Sequence, residues 1–290
     1  MLKFNSPRSI SALKCAADRL QAADPSLKRQ KSLDRAAEQA GYVNWLHACN
    51  HLPDRMPALS LECRWRAEPT ARAVQAERLS YPMPWDVQQV LAARYRAGRI
   101  AEFNFAASSD RLVCRSTADG QNMARNWIDQ ALRELLVIEA TGLIPSPNMV
   151  RAYPTARAQF QGIPYLDPIK PPGADHLSIW FDSKTRRTVL FDEPYRDRER
   201  GPRHPARQKW CSQHGFTQLQ SKWGGTHNAP DSELFLLTRS NSGIDLSDIE
   251  RRLVQLPNDF GSSPGLWRGE TVDVFPRLAA HRVRQIPGGL

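Results

Sequence analysis

The residue types that could do chemistry are concentrated in one stretch of the sequence, between residues 174 and 195. His176 and Asp182 are six positions apart, so both would lie on one face of a regular strand. Asp192 and Glu193 follow the next apolar run and stand directly before a proline. A histidine with two or three carboxylates can bind a divalent metal ion or act as a general acid and base. His176, Asp182, Asp192 and Glu193 are therefore the candidate catalytic residues.

This stretch has the pattern of a β-hairpin. Apolar runs at 177–181 and 188–191 flank a polar connection at 182–187. The alternation predicts that the odd-numbered residues of the first run face the core. It places His176, Ser178 and Trp180 on a half-polar face that lines a groove. Because a hairpin brings its ends together, Asp192 and Glu193 are predicted to lie beside residues 175 and 176.

The same acids also fit a purely structural interpretation. Asp182 opens a polar turn, where aspartate is a common residue. Asp192 and Glu193 end a strand before a proline, and His176 could pair locally with its neighbour Asp175. The sequence leaves both interpretations open.

Four further residues are candidates for ligand contact: Arg151, Tyr153, Trp180 and Tyr195. Arg151 and Tyr153 could contact a phosphate or carboxylate group. Trp180 shares the predicted groove face, and Tyr195 follows the acidic pair. Other histidine and cysteine pairs have no third ligand or orienting group at a suitable spacing, so we assign no metal site and no cofactor.

Composition favours a globular protein with polyanionic partners. The chain has 290 residues and a formal net charge of +10, which favours association with nucleic acid. A GC-rich genome, which favours arginine codons, would give the same excess. The five cysteines are odd in number and form no CxxC motif, which argues against a disulfide framework and a structural zinc site.

The sequence predicts a cytoplasmic protein that does not associate with a membrane. Its first ten residues are polar and lack the apolar core of a signal peptide. No run approaches the about 18 apolar residues that cross a bilayer. The oligomeric state stays open.

The periodicity of apolar residues predicts an α+β protein in three parts. Residues 1–55 form a small helical module, residues 56–257 an α+β domain, and residues 258–290 a loosely held tail. In the large domain, helices at 122–140 and 247–256 are expected to cover an antiparallel sheet. The proline-rich passage at 143–173 is expected to be an irregular loop. The module fits either a helix-turn-helix DNA reader or a simple packing unit of helices.

Several blocks of the sequence resemble an uncharacterised bacterial family associated with conjugative and integrative elements. They cover roughly residues 9 to 256 and include a short N-terminal helical module. The blocks are SLDRAAEQAGYVNWLHACNHLP, ATGL with PS, RAYP, DHLSIWFD, FDEPY, HGF and the aliphatic run 234–237. Where the family has Asn-Pro after the Trp-Gly turn, this chain has HNAP at 227–230. The resemblance implies a mobile-element setting and no mechanism.

These observations favour an accessory protein that binds nucleic acid or a protein partner without catalysis. The sequence contains no motif for a catalytic constellation beyond the hairpin cluster. One alternative is a metal-dependent hydrolase or nuclease that uses His176, Asp182, Asp192 and Glu193. Another is an inhibitory protein that masks a host protein.

Overall fold

A computed structural model describes residues 9–54, 58–68, 74–82, 97–106, 110–196, 204–227, 231–258 and 266–274. Its helices are α1 Ile10–Ala23, α2 Arg29–Gln39, α3 Trp45–His51, α4 Gln121–Thr141, α5 Met149–Ala152, α6 His204–His214 and α7 Leu246–Leu253. Its strands are β1 Ala58–Trp65, β2 Val74–Pro82, β3 Phe103–Phe105, β4 Arg111–Ala118, β5 Leu143–Pro145, β6 Thr155–Phe160, β7 Ile163–Pro168, β8 Ser178–Asp182, β9 Arg187–Asp192, β10 Phe216–Gln220, β11 Phe235–Arg239 and β12 Glu270–Val274. A short 3₁₀ helix spans Arg99–Glu102. The predicted α+β class, with helices before the sheets, is confirmed.

The three N-terminal helices pack around a small core of their own. Side chains cap two of them: the Ser9 hydroxyl accepts a hydrogen bond from the Ala12 N–H, and the Asn44 amide oxygen accepts one from the His47 N–H. The core is formed largely by alanines, which let the helices approach closely. Its buried members are Leu13, Ala17, Ala36, Ala37, Ala40 and Ala48.

The strands of the large domain form two five-stranded sheets. The first sheet has the order β12-β2-β1-β4-β3, and only its β1–β4 pair is parallel. The second sheet has the order β10-β11-β9-β8-β5, and every neighbouring pair is antiparallel. The predicted hairpin is confirmed as β8–β9, with Ser178 opposite Phe191 and Asp182 opposite Arg187. It lies inside the second sheet, so both of its strands are paired on both edges.

Helix α4 connects the two sheets. Residues from Ala124 to Leu136 pack against the first sheet, and Val137 and Ile138 pack against the second. Four polar residues on two successive turns of this helix are nevertheless buried. We call them the polar stripe: Asp129, Gln130, Arg133 and Glu134.

Trp180 does not share the groove face predicted for it, whereas His176 and Ser178 of that face line a pocket. Trp180 is only 1 % exposed and packs in the cluster that contains Val137 of α4 and Ile249 of α7. Ile179, on the opposite face, packs with Trp210 of α6. The sheet is therefore covered on both faces, which the alternation of residue types within one strand could not reveal.

Two stretches that the sequence assigned to irregular structure contain strands. β6 and β7, inside the expected loop, pair as a two-stranded ribbon that exposes Phe160 and Ile163 to 67 % each. β12, inside the expected loose tail, pairs along β2 with Glu270 opposite Arg78. Proline and polar residues hide the strand period in both segments. No helix among the described ranges combines the length and apolar character needed to cross a bilayer.

Shortening a buried side chain on α4 tests its packing against the first sheet. Leu132→Ala removes a fully buried side chain and should lower the free energy of unfolding by about 3 kcal/mol. Met123→Ala, on the same helix but at a position 41 % exposed, is the matched control and should cost less than about 0.5 kcal/mol. Urea unfolding followed by circular dichroism measures both. Equal losses would contradict this placement of α4.

Candidate functional site

The ends of the β8–β9 hairpin meet as the sequence predicted. The Asp175 N–H donates to Asp192 Oδ1 at 2.9 Å, and the Glu193 N–H donates to the Asp175 carbonyl at 3.0 Å. Asp182 lies at the opposite end, where it accepts hydrogen bonds from the Lys184 N–H and the Thr185 hydroxyl. The structure thus brings together three of the four candidate catalytic residues and leaves Asp182 in the turn.

Asp192 is held in a buried ion pair. Its Oδ2 lies 2.5 Å from Nη2 of Arg207, and both side chains are almost completely buried. The Arg207 guanidinium also stacks over Phe235. Burial raises the pKa of Asp192, while Arg207 acts in the opposite direction. Asp192 therefore anchors α6 to the sheet rather than facing a cavity.

Glu193 is buried and receives backbone and side-chain donors from one turn. Its Oε1 accepts from the Thr226 N–H at 2.8 Å and the Thr226 hydroxyl at 2.7 Å, and Oε2 accepts from the His227 N–H at 2.9 Å. The turn begins at Gly225, which has a φ of +80°. A Cβ at this glycine would overlap the Glu193 carboxylate. The close approach therefore requires glycine.

Glu134 of the polar stripe holds a second turn in the same way. Its oxygens accept from the Arg99 N–H at 2.9 Å and the Ile100 N–H at 2.7 Å. Gly98, with a φ of +74°, lies against the carboxylate and leaves no room for a Cβ. Burial raises the pKa of Glu134 to about 7, and the nearby Glu193 adds to the shift. The two backbone donors and Arg99 oppose it.

These turns and the hairpin end enclose a pocket of about 300 Å³. Helix α4 forms one wall, the 3₁₀ turn another, and the Gly225 turn and the start of β8 the rest. Its lining residues are Gly98, Arg99, Glu102, Gln130, Glu134, His176, Leu177, Ser178, Thr226 and His227.

Two histidines stack at the edge of the pocket. The rings of His176 and His227 lie 3.6 Å apart at an interplanar angle of 17°, and Tyr195 approaches His176 edge-on. His176 has a φ of +42°, so its backbone is not extended. It therefore lies outside β8, which begins at Ser178. We call His176 and His227 the histidine stack.

A chain of hydrogen bonds fixes the tautomer of His227. Gln130 accepts from Arg99 Nε at 3.1 Å through its amide oxygen and donates from Nε2 to His227 Nδ1 at 3.0 Å. Nδ1 is thus an acceptor, and the ring proton of neutral His227 is on Nε2. Burial, together with the neighbouring His176 and Arg99, lowers the pKa of His227 to about 4. His227 is therefore a neutral donor at physiological pH.

The four predicted ligand residues do not come together at the pocket. Tyr195 lies beside the histidine stack and forms an isolated bridge with Ser232. Tyr153 and Trp180 are buried in the core. The backbone of Arg151 lies in α5, and its side chain is outside the part of the chain that the structure describes.

Sequence reasoning missed the pocket residues that α4 and the two glycine turns contribute: Arg99, Gln130, Glu134, Thr226 and His227. One signal was present, since the polar stripe interrupts the long apolar pattern of α4. Amphipathicity favoured a solvent-exposed stripe instead. The partners of the stripe outside α4 are 31 to 125 positions away in sequence, so nothing local indicated its burial.

The comparisons with known proteins give no further guide, because no family model, curated protein or solved structure matches this chain. Across the described ranges, no group of three or more His, Cys, Asp or Glu side chains is placed to hold a metal ion. The arrangement instead offers polar groups that line a fixed cavity. Chemically, these groups are suited to hydrogen bonds with a small polar molecule.

Substituting the glycine under Glu134 tests the tight turn. Gly98→Ala should lower the free energy of unfolding by about 3 kcal/mol, because it adds steric overlap to an unfavourable φ. Gly162→Ala is the matched control, since Gly162 has a φ of +78° and nothing within 4 Å of its Cβ position. This control should cost about 1 kcal/mol. Denaturant titration measures both; equal costs would show that the carboxylate does not confine the turn.

Proposed function

We propose that this protein is a binding protein and that the pocket is its ligand site for a small polar molecule. The observation that carries this proposal is that polar groups from several elements converge on one cavity. Polar groups from α4, the 3₁₀ turn, the Gly225 turn and the hairpin end meet at one open cavity of about 300 Å³. A cavity with a few fixed polar groups and a titrating residue of shifted pKa is typical of a binding site.

The rigidity of the pocket supports this proposal. Burying Glu134 and Glu193 costs desolvation free energy that apolar residues in their places would not incur. Both carboxylates accept hydrogen bonds from the backbone N–H groups of a turn, and these bonds hold Arg99 and His227 in position. Residues fixed in this way lose little conformational freedom on binding, which favours affinity.

The geometry favours binding over the hydrolase alternative. That alternative needs His176, Asp182, Asp192 and Glu193 around one point. Asp182 lies in the far turn, Asp192 pairs with Arg207, and Glu193 is occupied by the Gly225 turn. Among the described residues that line the pocket, none is a nucleophile with a neighbouring base and an orienting group.

The test is a thermal-shift screen of the full chain against small molecules of four kinds: organic anions, organic cations, sugars and amino acids. Any molecule that binds the folded protein should raise the melting temperature, and its affinity is then measured by calorimetry. Ser178→Phe, which fills part of the pocket, should weaken the binding at least about tenfold.

Ser212→Phe is the matched control. Ser212 lines a different cavity, between α6 and β10, so the same substitution there should leave the affinity unchanged. Ligands that bind both variants equally, or a screen without any hit, would overturn the proposed site. The melting temperatures of both variants without ligand show whether they fold.

Nucleic acid is a second candidate partner, favoured by the net charge of +10. The described residues contribute little to this excess, because they contain 28 Lys and Arg against 26 Asp and Glu. The excess positive charge belongs to the remaining residues of the sequence. Nucleic-acid binding would therefore rest on electrostatic contacts from those residues.

Such contacts predict a steep dependence on salt. Affinity for duplex DNA, single-stranded DNA or RNA should fall about a hundredfold or more between 50 and 200 mM NaCl, because each neutralised phosphate releases counterions. Fluorescence anisotropy measures it on labelled oligonucleotides. Binding that is absent at the lower salt concentration, or insensitive to salt, would exclude this candidate.

A further inference from the structure

The pocket is rich in hydrogen-bond donors that have no acceptor among the described residues. The Arg99 guanidinium uses Nε for Gln130 and its face for Trp127, which leaves both Nη groups without a described acceptor. His227 presents the Nε2–H of its fixed tautomer. The Ser178 hydroxyl already accepts from Trp180 Nε1, so its own proton is available to a ligand.

Both carboxylates that line the pocket already have a partner. Glu134 accepts two backbone N–H groups, and Glu102 pairs with Arg115 at 3.3 Å. The Thr226 hydroxyl donates to Glu193 rather than to the cavity. A ligand that forms hydrogen bonds with the donors of the pocket must therefore supply acceptors. The positive charge of Arg99 favours acceptors that carry negative charge.

We propose that the pocket binds an oxyanion, the phosphate or carboxylate group of a small molecule, and that Glu134 takes up a proton when the anion binds. This inference rests on the proposed ligand site and adds the class of its ligand. Arg99, His227 and Ser178 contact the oxyanion. Glu134 is the proton acceptor of the coupled equilibrium.

The charges that face Glu134 explain why anion binding is coupled to its protonation. Arg99 from the 3₁₀ turn is the nearest cation, and Glu193 on the hairpin side is a second carboxylate. His227 and His176 stand across the pocket, Asp175 adjoins the stack, and Glu102 lies at the end of the 3₁₀ turn. On α4 itself, Arg133 and Asp129 pair with each other at 2.8 Å.

An added anion opposes the ionised form of Glu134 and makes its protonation more favourable. Glu134 already titrates near pH 7 because burial disfavours its charge. By linkage, protonated Glu134 binds the anion more tightly than ionised Glu134 does. Affinity for the oxyanion therefore rises as the pH falls through about 7.

The experiment uses sulfate and acetate, because neither changes its charge between pH 6.0 and 8.5. Titration calorimetry of the full chain at constant ionic strength should show affinity at least about fivefold higher at pH 6.0 than at pH 8.5. At pH 7 the binding enthalpy should vary with the ionisation enthalpy of the buffer, because protons are taken up. If sulfate binds more tightly than acetate, the natural ligand carries a phosphate group. If acetate binds more tightly, the ligand carries a carboxylate. Both outcomes support the proposal.

Variants test oxyanion binding and proton uptake at Glu134 separately. Arg99→Met should weaken sulfate or acetate binding at least about tenfold, whereas Arg157→Met, the same charge loss on the exposed ribbon β6–β7, should not change it. Glu134→Gln should keep binding and lose its pH dependence. Should Glu134→Gln fail to fold, the buffer dependence of the wild-type enthalpy decides the proton uptake by itself.

Three results would overturn the inference. Absence of sulfate and acetate binding, while a neutral or cationic molecule binds the pocket and is lost in Ser178→Phe, rejects the oxyanion and leaves the proposed site intact. Equal weakening by Arg99→Met and Arg157→Met shows non-specific charge attraction. Affinity that is constant with pH and with buffer rejects the proton uptake at Glu134.

Discussion

Two buried carboxylates, each accepting backbone N–H groups from a glycine turn, are the interactions on which the site depends. Glu134 holds the turn after Gly98, and Glu193 holds the turn after Gly225. The carboxylates belong to different elements, so together they fix two distant loops against one helix and one hairpin end. Hydrogen bonds to a charged acceptor are the strong ones in a protein interior. Breaking either of them would leave buried polar groups without partners.

Helix α4 carries this arrangement because it belongs to both halves of the large domain. Its apolar side chains fill the core of the first sheet and reach the second. Its polar stripe then lies between them, where Arg133 donates to the Gly225 carbonyl at 3.0 Å and Gln130 joins Arg99 to His227. The fold therefore positions the pocket through the same helix that unites the sheets.

The acidic residues of the hairpin show how position decides the role of a carboxylate. Asp182 stabilises the turn, Asp192 neutralises a buried arginine, and Glu193 organises a loop beside the pocket. All three have the same chemistry and lie on one hairpin. Their partners differ, and the partner determines what each carboxylate stabilises. The expectation of an inhibitory or mobile-element role stays a prediction.

The sequence by itself determined the α+β class, the N-terminal helices, the central helix and the β8–β9 hairpin, because these depend on local periodicity, caps and turn residues. It also placed Asp192 and Glu193 beside Asp175 and His176, since hairpin geometry follows from turn length. Only the tertiary structure decided that Trp180 is core, that the polar stripe is buried and that Glu134, Arg99 and His227 form a pocket. Those outcomes depend on which surfaces cover one another across long sequence separations, and residue spacing within one element does not contain that information.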